Sequence, residues 1–196
     1  MKNLAFFTIV LAFLMDIGPR LSAQLKSDVA SGRVVLDDQT MEIKKEISGG
    51  SIIQLLDGTS ERITGINSFD KDRLKQGRAF IFDQVALNYA THATDSGLEG
   101  KIEYNVAPPK ELQNAVLVIS QNGREALRMP VRDVANIETG QNSQDEYKQL
   151  KSLRYLLDDQ EVKVELHFPP GVSLDSTKKH YVYFRANGLQ TAKKVD

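Results

Sequence analysis

The sequence predicts a mainly β protein, an antiparallel β-sandwich of Greek-key or jelly-roll type with one short helical insertion and an N-terminal hydrophobic segment. Five or six segments after residue 77 are rich in aromatic and β-branched residues. Residues 161–168 alternate strictly between polar and apolar side chains, as a strand with one buried face does. Gly, Pro and Asn separate these segments, and the regularly spaced helices that join parallel strands are missing from the pattern.

The composition describes an ordinary globular chain. Of its 196 residues, 41% are hydrophobic and 26% are charged, enough apolar material for a packed core. The net charge of −1 provides no broad attraction for nucleic acid, so we expect no nucleic-acid partner. Cysteine is absent, which excludes disulfides, thiolate metal sites and cysteine nucleophiles.

The N-terminal segment carries a targeting pattern. Lys2 precedes an apolar run at residues 4–15, and Gly18, Pro19 and small residues follow it before Gln24. This order predicts a secretory signal peptide over residues 1–23. A hydrophobic anchor with membrane contact through residues 4–15, or a buried N-terminal element, are the alternatives. The run is too short to span a bilayer core of about 30 Å as a helix.

Residues 24–77 suggest an N-terminal arm or small subdomain. A short strand is predicted at residues 34–36, and residues 40–47 fit either a strand or a helix. Residues 51–56 form another short apolar run. The charged stretch ending at Gly77 marks the predicted boundary with a β-sandwich domain at residues 78–196.

The sandwich domain opens with an aromatic strand at residues 78–92. Its apolar pattern changes face near Asp83 and Gln84, which predicts a bulge or bend. Residues 101–106 alternate and predict a second strand, which the prolines at 108 and 109 end.

A β-hairpin is predicted at residues 114–131. Asn122 and Gly123 favour a type I′ turn, because both central residues of that turn need positive φ. Uniform pairing from this turn places Gln121 opposite Arg124 and Ile119 opposite Ala126. The same register predicts that the apolar face is formed by the set Val116, Val118, Leu127 and Met129.

The last third of the chain predicts a helix and then two strands. Residues 143–146 have the spacing of a capping box, and apolar residues at 147, 150, 153 and 157 follow at helical intervals. The alternating strand at residues 161–168 comes next, and residues 179–186 are the last predicted strand. Asn187 and Gly188 predict a second tight turn.

No catalytic motif or metal-ligand spacing occurs in the sequence, so we predict a non-enzymatic protein without metal or cofactor. The three histidines, His92, His167 and His180, lie on different segments, which favours solvated or interface roles over a shared metal. The carboxylate doublets at 37–38 and 158–159 lack the spacing of a calcium loop and are typical of caps and turns.

Six residues are the candidate contacts with a partner. Four of them share the polar face of one strand, and two are tyrosines of the last strand: Glu161, Lys163, Glu165, His167, Tyr181 and Tyr183. The tyrosines, together with Tyr89 and Tyr104, are also candidates for an aromatic platform for sugars or peptides, although core packing is the commoner use of such residues.

From residue 78 onward the order of segments resembles the jelly-roll coat proteins of bacteriophages. The segments concerned are AFIFDQVAL at 79–87, ELQNAVLVISQNGR at 111–124 and LRYLLDDQEVKVELHFPPG at 153–171. The resemblance implies a structural role in the virion, contacts with copies of itself or other assembly proteins, and no catalysis. The alternative is a secreted or periplasmic module that binds a carbohydrate, peptide or protein. A secreted or periplasmic location is expected if residues 1–23 are a cleaved signal.

Overall fold

The computed structural model describes residues 4–135 and 147–194. Within these ranges the protein is mainly β, as predicted, with eight strands in two antiparallel sheets and few helices. The strands are β1 (Val34–Ile47), β2 (Ile52–Leu56), β3 (Phe80–His92), β4 (Val116–Gln121), β5 (Arg124–Pro130), β6 (Lys148–Leu156), β7 (Val162–His167) and β8 (Lys179–Lys193). The helices are α1 (Leu4–Asp16), α2 (Ala23–Ala30), α3 (Lys110–Gln113) and α4 (Val131–Val134), and a 3-10 turn (Gly18–Arg20) joins α1 to α2.

The strand order follows a simple rule. The first sheet has the order β1-β8-β3-β6 and the second has the order β2-β7-β4-β5. Strand β1 pairs with β8, β2 with β7, β3 with β6 and β4 with β5, so the four pairings are symmetric about the turn between β4 and β5. Two further pairings, β3 with β8 and β4 with β7, complete the sheets.

The inward faces of the two sheets share one hydrophobic core. From the first sheet it takes Ile43, Phe82 and Phe184 among others, and from the second Leu117 and Leu166. All five side chains are almost completely buried. Burial of a side chain of this size stabilises the folded state by about 1.5–3 kcal/mol. The burial of this shared core is therefore the main contribution that holds the two sheets together.

Residues 34–56, which we predicted as part of an arm, supply one edge strand to each sheet. Strand β1 pairs with β8 over its whole length, from Val34 opposite Lys193 to Ile47 opposite His180. The strand alternative for residues 40–47 is therefore confirmed. The predicted boundary at Gly77 lies in the connection between β2 and β3.

The turn of the central hairpin and the pairing of Gln121 with Arg124 are confirmed, but the predicted register beyond the first pairs is wrong. Asn122 and Gly123 have φ values of 48° and 77°, as a type I′ turn requires. A bulge next to Ile119 leaves Ala126 without a partner, so Ile119 lies opposite Leu127. One extra residue in a strand reverses the faces beyond it. The strands of the hairpin consequently give the core Leu117, Ile119, Ala126 and Leu127, with Met129 packed against it, and Val116 and Val118 lie on the outward face.

The predicted helix after residue 143 is wrong where the structure describes it, because residues 148–156 form β6. Between the pairs Phe82–Arg154 and Gln84–Gln149, β3 advances two residues while β6 advances five. The same irregularity confirms the predicted face change near Asp83. Leu150 packs against the core between the sheets, and Leu153 packs on the outward face with the N-terminal helices. Their three-residue spacing imitates a helical interval, but in a strand it places the two side chains on opposite faces. The predicted capping box at residues 143–146 lies outside the described residues.

Gly188 is not part of a turn, contrary to our prediction, because β8 continues through it to Lys193. A Cβ atom at this position would lie 2.6 Å from Cα of Phe82 and closer still to the carbonyl oxygen of Ile81. Glycine is therefore needed where the β3 backbone comes very near β8, beside the β3 bulge.

Residues 101–106 were predicted as a strand and instead belong to an irregular connection between β3 and α3. A single bridge joins Val106 to Tyr89. Three alternating apolar residues are a weak signal, and here Tyr104 packs against Tyr183 of β8 rather than pairing in a sheet.

The N-terminal helices cover part of the outward face of the first sheet. Their buried residues and the sheet residues beneath them form a second hydrophobic cluster: Val10, Leu14, Ile17, Leu21 and Leu25 with Ala79, Ile81, Tyr155, Leu157 and Leu189. Ile81 of β3, Tyr155 of β6 and Leu189 of β8 provide the apolar face on which this segment packs. Among the described residues, no helix is both long and apolar enough to cross a membrane.

Polar contacts fix the same segment to the domain. The guanidinium of Arg20 donates to the Tyr155 hydroxyl at 2.6 Å. The Ser22 hydroxyl donates to Oδ2 of buried Asp158 at 2.8 Å, and the same oxygen accepts the backbone N–H of Gly77 at 2.6 Å. Asp158 thus joins the N-terminal segment to the connection before β3.

Candidate interaction surfaces

The structure divides the six predicted contact residues between the outward faces of the two sheets. Lys163, Glu165 and His167 lie on the outward face of the second sheet, since their neighbours in β7 enter the core. Tyr181 and Tyr183 lie on the outward face of the first sheet. The sequence grouped them as candidates, but the fold does not bring the two sets together.

On the second sheet, the polar residues of β7 bind one another. His167 Nε2 lies 3.0 Å from Glu165 Oε2, and the side-chain amide of Gln54 in β2 donates to Glu165 Oε1 at 3.5 Å. Lys163 pairs with the exposed Glu161 at 3.3 Å. The polar residues that β7 places on this face are therefore internally compensated, which is typical of a solvated sheet surface.

On the first sheet, three tyrosines and two cations form one connected group of ring and cation–π contacts, here called the tyrosine cluster: Tyr104, Tyr147, Tyr183, Lys44 and Arg185. The Lys44 ammonium lies 4.6 Å from the ring centre of Tyr183, and the Arg185 guanidinium lies 4.8 Å from it. Arg185 also lies 4.9 Å from the Tyr147 ring, and the rings of Tyr104 and Tyr183 are 5.3 Å apart. Cation–π contacts of this kind each contribute about 0.5–1 kcal/mol at exposed sites.

Hydrogen bonds hold the tyrosine cluster in place. The Tyr183 hydroxyl donates to a carboxylate oxygen of Glu42 at 2.6 Å, and Arg185 donates to the amide oxygen of Asn88 at 2.6 Å. Burial raises the pKa of Tyr183, and the Glu42 carboxylate adds to that effect. Burial likewise raises the pKa of Tyr104. Both phenols therefore remain neutral hydrogen-bond donors at physiological pH, on a surface suited to stacking.

Tyr181 does not reach the surface. Its side chain is completely buried, and its hydroxyl donates to the backbone carbonyl of Asp95 at 2.7 Å, with Glu46 at 3.2 Å. Burial raises its pKa. In this conformation Tyr181 fixes the connection after β3 to the sheet, and Tyr183 is the accessible member of the predicted pair.

The three histidines remain apart. His180 is buried, with Nε2 2.7 Å from the carbonyl oxygen of Asp175 and Nδ1 2.5 Å from the Tyr89 hydroxyl. Because a carbonyl oxygen only accepts, Nε2 carries the proton and Nδ1 accepts from Tyr89. His92 accepts the backbone N–H of Asp95 at 3.0 Å. Within the described ranges, no three or more His, Cys, Asp or Glu residues are grouped so that they could hold a metal ion.

Sequence reasoning missed the two cations of the tyrosine cluster. Lys44 lies opposite Tyr183 in the pairing of β1 with β8, although the two residues are far apart in the chain. The only signal in the sequence is the alternation of charged and apolar residues at 41–44, which is recognisable only once those residues are known to form a strand.

No protein-family model matches this chain, and no curated protein is significantly similar to it.

Proposed function

We propose that this chain is a non-enzymatic structural subunit of a virion, built as a jelly-roll β-sandwich that associates with copies of itself. The observation that carries the proposal is the strand order, β1-β8-β3-β6 in one sheet and β2-β7-β4-β5 in the other. Rolling one long antiparallel hairpin of four strand pairs into two facing sheets gives this order. Jelly rolls of this kind are used in viral capsid and lectin domains.

Because a fold alone does not determine function, the exposed surfaces have to support an assembly role. Helix α1 presents an apolar face to solvent, where Ile9 is 55% exposed and Met15 is 68% exposed. No charged residue occurs between residues 4 and 15. A contiguous exposed apolar face is characteristic of an interaction site, and we assign it to a neighbouring copy of the same chain.

The packing of the N-terminal segment supports a virion rather than a secreted location. Removal of residues 1–23 would uncover Ile81, Leu157 and Leu189, which are now nearly completely buried. Exposing them would weaken the fold and promote aggregation. We therefore propose that residues 4–21 remain in the folded protein as its cover, and intact-mass measurement of the native protein tests this directly.

Size-exclusion chromatography with light scattering of the full chain tests the assembly role. We expect a discrete oligomer or particle for the natural sequence and a shift toward monomer for Ile9→Lys. Ser27→Lys, at an exposed position of α2, is the matched control and should assemble normally. A strict monomer at every concentration would contradict the proposal.

The tyrosine cluster favours a second candidate function, a binding module for a carbohydrate or peptide. Half-buried tyrosine rings, held in place by Lys44 and Arg185, are suited to stacking against sugar rings or peptide side chains. Because the chain has no tryptophan, tyrosine fluorescence reports on this surface with few competing signals. A saturable fluorescence change with an oligosaccharide, in a protein that remains monomeric, would favour this alternative.

A further inference from the structure

A cavity of about 100 Å³ lies between β1, β8 and the connection that joins β2 to β3. Four cationic side chains from this connection line it: Arg62, Arg73, Lys75 and Arg78. Asp70 is the only carboxylate among its lining residues. The chain as a whole is slightly acidic, so this local excess of positive charge is a property of the fold and not of the composition.

The cations are incompletely neutralised by their neighbours. Arg62 and Lys75 make no side-chain hydrogen bond or ion pair with any residue that the structure describes. Arg78 donates to the amide oxygen of Gln190 at 2.9 Å, a contact that orients the guanidinium without cancelling its charge. Of the four, only Arg73 has acidic partners within the described ranges, Asp72 at 3.7 Å and Asp159 at 3.6 Å, and its side chain is 54% exposed. Like charges around one concavity repel each other and attract an anion.

The floor of the cavity is apolar. Met41, Phe69 and Leu74 line it and are at most 7% exposed, because they also belong to the main core. A floor of this kind excludes water on one side and strengthens a charge-assisted hydrogen bond made above it. The guanidinium groups of the rim carry N–H pairs whose geometry matches a carboxylate or phosphate.

We propose that this cavity binds an oxyanion, that is, a carboxylate or phosphate group. Pockets for drug-sized ligands measure about 300–1,000 Å³, so this one accommodates a single small anionic group. The group is supplied either by a free small anion or by an acidic side chain of a second copy of this chain. The inference goes beyond the proposed function, because a free anion would bind a monomer equally well.

The first experiment is calorimetric titration of the full chain with inorganic phosphate and, separately, with acetate at low ionic strength. We expect saturable binding that weakens at least tenfold in the double variant Arg62→Gln with Lys75→Gln. The double variant Lys26→Gln with Lys178→Gln removes the same charge at exposed positions elsewhere and should bind normally. Arg62→Lys, which keeps the charge, should retain most of the affinity, and circular dichroism establishes that each variant folds.

The second experiment distinguishes the two sources of the anion. If an acidic side chain of another copy occupies the cavity, the Arg62→Gln with Lys75→Gln variant shifts the light-scattering mass toward monomer, and added phosphate does the same to the natural sequence. If a free anion is the ligand, phosphate binds and the mass does not change. The proposal is overturned if the cavity variant and the control variant behave alike in both phosphate binding and association.

Discussion

The side-chain amide of Gln121 pairs with the backbone of Leu157 through two hydrogen bonds, as one strand residue pairs with another. Its Nε2 donates to the Leu157 carbonyl at 2.7 Å, and its Oε1 accepts the Leu157 N–H at 2.8 Å. Gln121 ends β4 in the second sheet, and Leu157 directly follows β6 in the first. A buried side chain thus connects the two sheets where no backbone pairing does.

We expect Gln121→Leu to lower the free energy of unfolding by about 3 kcal/mol, because it leaves the buried N–H and C=O of Leu157 without partners. Urea denaturation of the full chain measures the change. Gln76→Leu, at an exposed position in the connection before β3, is the control and should alter stability by less than about 0.5 kcal/mol. Equal effects of the two substitutions would show that the Gln121–Leu157 pair is unimportant.

Gly188→Ala should destabilise the protein by at least about 3 kcal/mol, because its Cβ would overlap the backbone of Ile81 and Phe82. Thermal unfolding and expression level provide the measurement. At Gly18 an added Cβ meets no atom within 4 Å, so Gly18→Ala is the matched control and should be tolerated. A stable Gly188→Ala variant would mean that β3 and β8 are not so close at this point.

Two substitutions in α1 test whether the helix covers the first sheet. Leu14 is completely buried and Ile9 is mostly exposed, although both lie on the same helix. We expect Leu14→Ala to lower the free energy of unfolding by about 3 kcal/mol, and Ile9→Ala to lower it by less than about 0.5 kcal/mol. Urea denaturation again measures both values. A Leu14→Ala variant as stable as the natural sequence would indicate that α1 does not pack on the domain.

The ionisation of Asp57 makes the stability of the folded protein depend on pH in the acid range. The Thr59 hydroxyl donates a hydrogen bond of 2.6 Å to the Asp57 carboxylate, and this bond is the main reason why the pKa of Asp57 lies well below its ordinary value. The Thr59 N–H and the Lys45 ammonium lower the pKa further. Because the pKa is lower in the folded state than its unfolded value of about 3.9, ionised Asp57 stabilises the fold above that pH. That contribution is lost as the pH falls from about 4 toward the folded pKa.

We therefore expect Asp57→Asn to lower the free energy of unfolding at pH 7 by about 1 kcal/mol and to have a smaller effect at pH 3. Urea denaturation at the two pH values measures the difference. Asp37→Asn, at an exposed position of β1, serves as the control and should show no such pH dependence. An Asp57→Asn effect that is the same at both pH values would argue against the carboxylate as the cause.

Sequence alone determined the features that depend on neighbouring residues. The turn at Asn122 and Gly123 requires two adjacent residues that accept positive φ, and both are present in the sequence. The alternation of polar and apolar residues at 161–168 is that of a strand with one buried face. The bulge near Asp83 was also predicted correctly, because the apolar pattern of a single strand changes face there. Each of these features is encoded within about a dozen residues.

Tertiary structure alone decided the features that depend on distant atoms. Gly188 is a glycine because the β3 backbone lies against it, and Ala126 is bulged so that Leu127 meets the core. The spacing of Leu150 and Leu153 was misleading because the two side chains lie on opposite faces of β6, one against the core between the sheets and one beneath the N-terminal helices. Lys44 becomes a neighbour of Tyr183 only through the pairing of β1 with β8. The connection between β2 and β3 brings Arg62 and Arg78 to one cavity, although they are 16 positions apart in the chain. The local sequence pattern of a strand shows whether one of its faces is buried. Which residues pack against that face is decided by segments distant in the chain, which the local pattern does not include.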